Sequence, residues 1–234
     1  SRDAAKALEG VAHVVKDTPT AARLVTLAYP FLSLHEESSV SGDRVNLLTH
    51  GINMAKGNVA DALMILATKL QQEDVPWPDS LTPVLMGISG DAHPAVRAVV
   101  LRRLHYLQHL APDIGWKVFR QAMQKSTDGL WQMAEPCLYY AYHQQFTIVQ
   151  PWLDQLYREG KDKDLETWGR ISALAALSDK IRFSSLLASL QSLNAESAWR
   201  GAASVWTHPS NVQQHREQCF SGLAAGLDTE NSFA

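Results

Sequence analysis

Cysteine is nearly absent from this sequence: of 234 residues only Cys137 and Cys219 are cysteines, and neither belongs to a CxxC or a Cys/His spacing. That pattern excludes a disulfide scaffold and a zinc site and fits a reducing cytoplasm. Long apolar runs are missing too. None approaches the roughly 20 residues that a membrane helix requires, so no membrane partner is expected. The opening Ser1-Arg2-Asp3-Ala4-Ala5-Lys6 has neither an initiator Met nor the charged-then-apolar order of a secretion signal, and the expected object is a piece of a longer chain. Charge of one sign is not in excess. With 21 Lys+Arg against 24 Asp+Glu and a formal net charge of -3, the chain lacks the positive balance of a protein that neutralises many phosphates. Strict apolar/polar alternation of strand length is absent as well, which removes sheet-based folds. Finally, there is no GxxxxGK[ST] phosphate loop, no GxSxG elbow and no HExxH. The expectation is a chain that is not an enzyme and holds no cofactor and no metal.

What is present is helical periodicity almost throughout. Apolar residues recur at i, i+3, i+4, i+7, and hydrophobic residues make up 46% of the chain, enough to bury a core. The spacing predicts helices over 4–16, 20–34, 43–54, 58–73, 80–89, 94–110 and 113–124, then 130–143, 147–158, 164–178, 181–192, 195–206 and 211–227. Pro19, Pro78, Pro94 and Pro209 stand where a missing N–H is harmless at a helix start, and Asp43, Asp79, Asp113 and Asn194 stand at expected N-caps. Gly90, Gly129 and Gly160 mark stops or turns. Pro136 and Pro151 fall near the start or inside helices, where a kink or a shifted boundary is expected. Connections of about two to six residues make successive helices antiparallel neighbours, and nothing resembles an interdomain tether.

The helices repeat. In one alignment Val59, Leu63 and Met64 fall on Val96, Val100 and Leu101, and the next step reaches Met133, Cys137 and Leu138. That step lies within the roughly 33–47 residues at which helix-pair solenoids repeat. No one of these helices can bury its apolar stripe alone, whereas stacked pairs make one continuous core. The predicted fold is all-α: an α-solenoid of antiparallel helix pairs in a right-handed superhelical array, one helical-repeat domain over 1–234.

Residues 91–97, Asp-Ala-His-Pro-Ala-Val-Arg, resemble the HEAT-repeat signature, with Asp in the turn, then Pro, then Val-Arg at a helix start. In that setting Asp91 would cap its own helix and face an Arg of a neighbouring repeat, Pro94 would preset the first turn and Val96 would enter the core. The match is good for this repeat; residues 56–61, Lys-Gly-Asn-Val-Ala-Asp, lack both Pro and Val-Arg. A longer run, from His50-Gly-Ile-Asn-Met-Ala-Lys-Gly through 91–97 to the aromatic stretch 130–143, resembles the C-terminal helical-repeat region of large bacterial STAND-type NTPases of antiviral defence. In those proteins the repeats recognise a viral protein and the NTPase module, nearer the N-terminus, assembles in response. The resemblance implies a bacterial sensor or scaffold module with a viral protein as partner, its nucleotide chemistry elsewhere in a longer chain.

Several constellations remain. Between Asp91 and Lys125 stand six basic residues, Arg97, Arg102, Arg103, Lys117, Arg120 and Lys125, against Asp91 and Asp113 alone. On successive helices they could line an acidic protein surface or, as an alternative function, track nucleic-acid phosphates; no aromatic interleaving of the single-strand-binding kind accompanies them. Residues 130–143 carry Trp131, Tyr139, Tyr140 and Tyr142 with Glu135, either a recognition surface or core filling. His105 and His109 lie one turn apart, as two metal ligands could, yet with no third ligand they read as a solvated face. Cys137 has no base nearby in sequence and reads as an ordinary buried thiol. Most of the seven tryptophans are expected between repeats. Glu36–Glu37 and the alternation 161–164 read as solvated turns. The candidate partner-binding residues are Arg97, Arg102, Arg120, Trp131 and Tyr139; self-association stays open.

Overall fold

The computed structural model describes residues 2–32, 46–125, 129–161 and 163–227. All secondary structure among them is helical, in 14 helices without a strand. In order these are α1 (Arg2–Val14), α2 (Thr18–Leu32), α3 (Leu47–Gly51), α4 (Ala55–Gln72), α5 (Leu81–Ser89), α6 (Pro94–Leu110) and α7 (Pro112–Met123). Then follow α8 (Leu130–Ala141), α9 (Phe146–Glu159), α10 (Asp164–Leu177), α11 (Phe183–Leu193), α12 (Glu196–Trp206), α13 (Pro209–Gln214) and α14 (Arg216–Leu227). The expected N-cap Asp43, the Glu36–Glu37 pair and part of the 161–164 alternation lie outside the described residues. None of the described helices is long and apolar enough to cross a membrane.

The chain divides into two compact units, Ser1–Cys137 and Leu138–Ala234, the division falling inside α8. In the first unit α4 is central. It packs against α1, α2 and α6, and α6 in turn packs against α3 and α7. The helices that the sequence alignment placed in register therefore touch: Val59, Leu63 and Met64 of α4 and Val96, Val100 and Leu101 of α6 are all fully buried. Cys137 of α8, aligned with Val100, is buried and directs its thiol to the Leu101 carbonyl at 3.5 Å. Met133, the third member of the Val59–Val96 alignment, is only half-buried.

Turn chemistry at 91–97 differs from the expectation in two respects. Asp91 accepts from the His93 backbone N–H at 2.8 Å and pairs with Lys56 at 3.4 Å, while the cap of α6 is His93, whose Nδ1 accepts from the Ala95 N–H. The cation that faces Asp91 from α4 is thus a lysine, as residues 56–61 carry no Arg.

In the second unit α10 and α12 form the most extensive pair, flanked by α9, α11 and α14. They approach at two glycines: a Cβ on Gly169 would strike the Ala198 carbonyl, and one on Gly201 would strike the Glu166 carbonyl. Trp199 and Trp206 of α12 are buried with rings 6.4 Å apart. Gly222 of α14 lies against Trp206, where a Cβ would come within 2.7 Å of the ring.

Three punctuation readings change. Asn194 does not cap α12 but closes α11 in the left-handed conformation, φ 46°, which Asn tolerates better than other side chains. Asp113 sits inside the first turn of α7, after Pro112, and Ser80 rather than Asp79 precedes α5. The single helix expected over 211–227 is two, broken at His215 (φ −131°, ψ 43°).

Candidate functional site

The five candidate residues have separate fates. Arg97, in the first turn of α6, is 4% exposed; its Nη1 donates to the carbonyls of Ala122 at 3.0 Å and Lys125 at 2.5 Å. It thereby ties α6 to the end of α7, where carbonyls lack helical partners and a cation is favoured. Burial pulls its pKa down, and the charge of Asp91 opposes that pull. Trp131 is 2% exposed and belongs to the core of α8. Arg102 and Arg120 are exposed, on α6 and α7. Tyr139 lies in the second unit, 43% exposed, its ring edge-on to Tyr140 at 5.2 Å.

Arg102 opens onto a pocket. This hollow of about 270 Å³ lies where α1, the α3–α4 turn, α4 and α6 meet. Its floor is α4, through Gly57, Asn58 and Asp61, all buried. Gly57 is required there, because any Cβ would run into the Gly51 carbonyl. Asp61 is the one carboxylate in an otherwise buried, mostly apolar stretch of α4. It is retained because Arg103 of α6 binds it with two bonds, Nε to Oδ1 and Nη2 to Oδ2, the latter at 3.0 Å. This two-point contact raises the Arg103 pKa against the opposing effect of burial, and a planar fork on a carboxylate is the strongest geometry such a pair can adopt.

The other lining side chains have different obligations. Asn53 donates to the Thr49 carbonyl at 2.7 Å and accepts from Arg2 at 2.5 Å. Asn58 donates to the Met54 carbonyl at 2.8 Å, and Glu9 faces His13 one turn along α1 at 3.2 Å. Lys6 and Arg102, both exposed, enter no ion pair among the described residues. The pocket therefore combines a rigid floor with two uncommitted cations at its mouth.

The basic residues that looked like one strip are divided. Arg97 is buried against α7 carbonyls and Arg103 holds Asp61, while Arg102, Lys117, Arg120 and Lys125 stay exposed. The pocket that Arg102 lines takes no residue from α7. Sequence reading passed over Lys6, Asn58 and Asp61. The available signal was Asp61 itself, a carboxylate among the apolar positions Val59, Leu63 and Met64, which demands a partner brought from elsewhere in the chain.

The other constellations stay apart from this pocket. His105 is half-buried, its ring 4.0 Å from that of Tyr106, and burial lowers its pKa against the effect of a backbone contact with Arg102; His109 is exposed. Among the described residues no three His, Cys, Asp or Glu side chains gather as metal ligands would. Cys137 and Cys219 are both free and buried, and desolvation pushes both thiols above the ordinary range, away from the thiolate that nucleophilic chemistry needs. No family model, no curated protein and no solved structure matches the chain.

Proposed function

We propose that the chain is a non-enzymatic protein-recognition module of HEAT-like antiparallel helix pairs, serving as the sensor or scaffold part of a cytoplasmic bacterial antiviral defence NTPase. The observation that carries recognition is the pocket of α1, α4 and α6. Its exposed cations, Lys6 and Arg102, stand uncommitted on helices fixed by a buried core, and sites set on packed helices hold their geometry better than sites on loops. The ionisable groups at its floor, Asp61 and Arg103, neutralise each other, an arrangement that supports a framework role in place of acid–base chemistry. The defence assignment rests on the resemblance of 50–143 to the repeat regions of such NTPases.

The test is capture from phage-infected and uninfected bacterial lysates at physiological salt, with this chain as bait. A viral protein recovered only after infection, and lost with Arg102→Glu, is the expected result. Recovery of nucleic acid that washes away at moderate salt would replace the reading with phosphate tracking by the exposed basic residues, since such binding falls steeply with ionic strength. Recovery of nothing above background would overturn the sensor assignment.

A further inference from the structure

The pocket of α1, α4 and α6 has a charge pattern that selects among ligands. Its cations are Lys6, Arg102 and Arg103, and its carboxylates are Glu9 and Asp61. Asp61 is already held through both oxygens, by Nε and Nη2 of Arg103, which leaves the Nη1 edge of that guanidinium outside the pair. The exposed side chains that offer donors to a guest are the Arg102 fork and the Lys6 ammonium. The net balance of the five charged groups is one positive charge. A singly charged anion completes it; a phosphate dianion would overshoot it and would lie beside Glu9 and Asp61, and like charges at such range are unfavourable.

Size allows the same guest. At about 270 Å³ the hollow is just under the roughly 300–1,000 Å³ of pockets that engulf whole small molecules, and it has room for an inserted side chain. The guanidinium fork matches the two oxygens of a carboxylate. Ile52, 40% exposed at the rim, gives the methylene stem of such a side chain an apolar contact.

We infer that this pocket receives the carboxylate of a partner protein's Asp or Glu side chain, with Arg102 and Lys6 as its direct contacts and the Arg103–Asp61 pair as the element that fixes the floor. The inference rests on the recognition reading above and names the chemistry that the partner presents at this point. Lys6 and Arg102 are exposed, so neutral substitutions there leave the buried floor intact.

The experiment is a titration of the isotope-labelled chain, followed by two-dimensional amide NMR, with N-acetyl-glutamate N-methylamide. N-acetyl-glutamine N-methylamide serves as the uncharged isostere, and inorganic phosphate forms a third arm. The glutamate probe is expected to move the Gly57, Asn58 and Arg103 resonances while the glutamine probe does not. Arg102→Gln should weaken the glutamate response on the order of tenfold, and Lys117→Gln, which removes an exposed cation of α7 outside the pocket, should leave it unchanged. The same spectra report whether each variant is folded. An equal response to both amides, an undiminished response in Arg102→Gln, stronger binding of phosphate than of the carboxylate, or no response at millimolar probe would each overturn the inference. The two readings fail separately. Lysate capture that survives Arg102→Gln removes the carboxylate pocket and leaves recognition standing, whereas a selective carboxylate response without any captured protein supports the pocket's chemistry and removes the recognition reading.

Discussion

The two units solve the same problem, holding helices side by side, with different chemistry. In Ser1–Cys137 the helices are locked by charge across helix boundaries: Arg97 on two carbonyls at the end of α7, Arg103 on Asp61, Lys56 on Asp91. In Leu138–Ala234 the closest contacts between helices are steric, with one directed bond beside them, from Arg170 Nε of α10 to Ser204 Oγ of α12 at 3.2 Å. Glycines admit the α10 and α12 backbones to each other, and tryptophan rings fill what remains. The ion pairs described there, Glu166–Arg170 and Glu196–Arg200, run along single helices on the surface. A buried charge needs an aimed partner, so a unit built with such pairs has directional contacts at defined points, and its neighbouring cations can be left for a ligand. A unit built from glycine and tryptophan gains contact area without directionality. The pocket of Lys6 and Arg102 lies in the first unit, beside the directed pair Arg103–Asp61.

The contrast can be broken by substitution, with hydrogen exchange read segment by segment so that each unit reports separately. The largest effect is expected for Trp206→Ala, which empties a fully buried site and should cost about 4 kcal/mol, seen as lost amide protection in α12 and α14. Arg97→Met keeps the apolar stem but leaves the Ala122 and Lys125 carbonyls without their donor; a loss of about 2 kcal/mol, centred on α6 and α7, is expected. If Arg97→Met proved harmless, directional charge would not be what locks the first unit.

A third prediction uses pH. Burial foremost, then the charge of Asp91, pushes the Tyr29 phenol from its ordinary 10.0 up to about 12. A phenol held neutral in the folded state contributes stability that is complete below its unfolded pKa and is lost as pH rises through the folded one. Alkaline destabilisation between about 10 and 12 is therefore expected by urea denaturation, and Tyr29→Phe should reduce it. The smallest effect belongs to Glu196→Ala. That pair with Arg200 leaves both side chains more than half exposed, and its loss should shift stability by less than about 0.5 kcal/mol. A large effect there would show that the second unit too relies on charge.

Helix positions were legible because burial of an amphipathic stripe writes itself into the order of residues. The range 94–110 coincides with α6 from end to end, and 113–124 differs from α7 by one residue at each end. The break at His215 was not legible, since neither Pro nor Gly stands there and the helical pattern runs on through it. Asn194 suits a helix start or a left-handed helix end equally well, and only the path of the chain after α11 selects between them. Among the candidate residues, Arg102 was readable as an exposed cation. Arg97 was not readable as buried, and Trp131 was readable as either core filling or recognition surface, because both side chains carry a long apolar body with a polar tip and their exposure depends on what lies beside them.

The order of amino acids determined, by itself, that this chain is helical, where most helices lie, and that apolar positions of the α4, α6 and α8 segments align at one common step. Those properties follow from local propensity and periodicity, which act over a few residues. Tertiary structure alone decided that Arg103 meets Asp61, that Arg97 reaches the end of α7, and that Lys6 and Arg102 share the mouth of one hollow. The reason is physical: a charge in a helix is compatible with solvent, with a buried partner or with a ligand, and the choice among the three is made by whichever helix packs beside it.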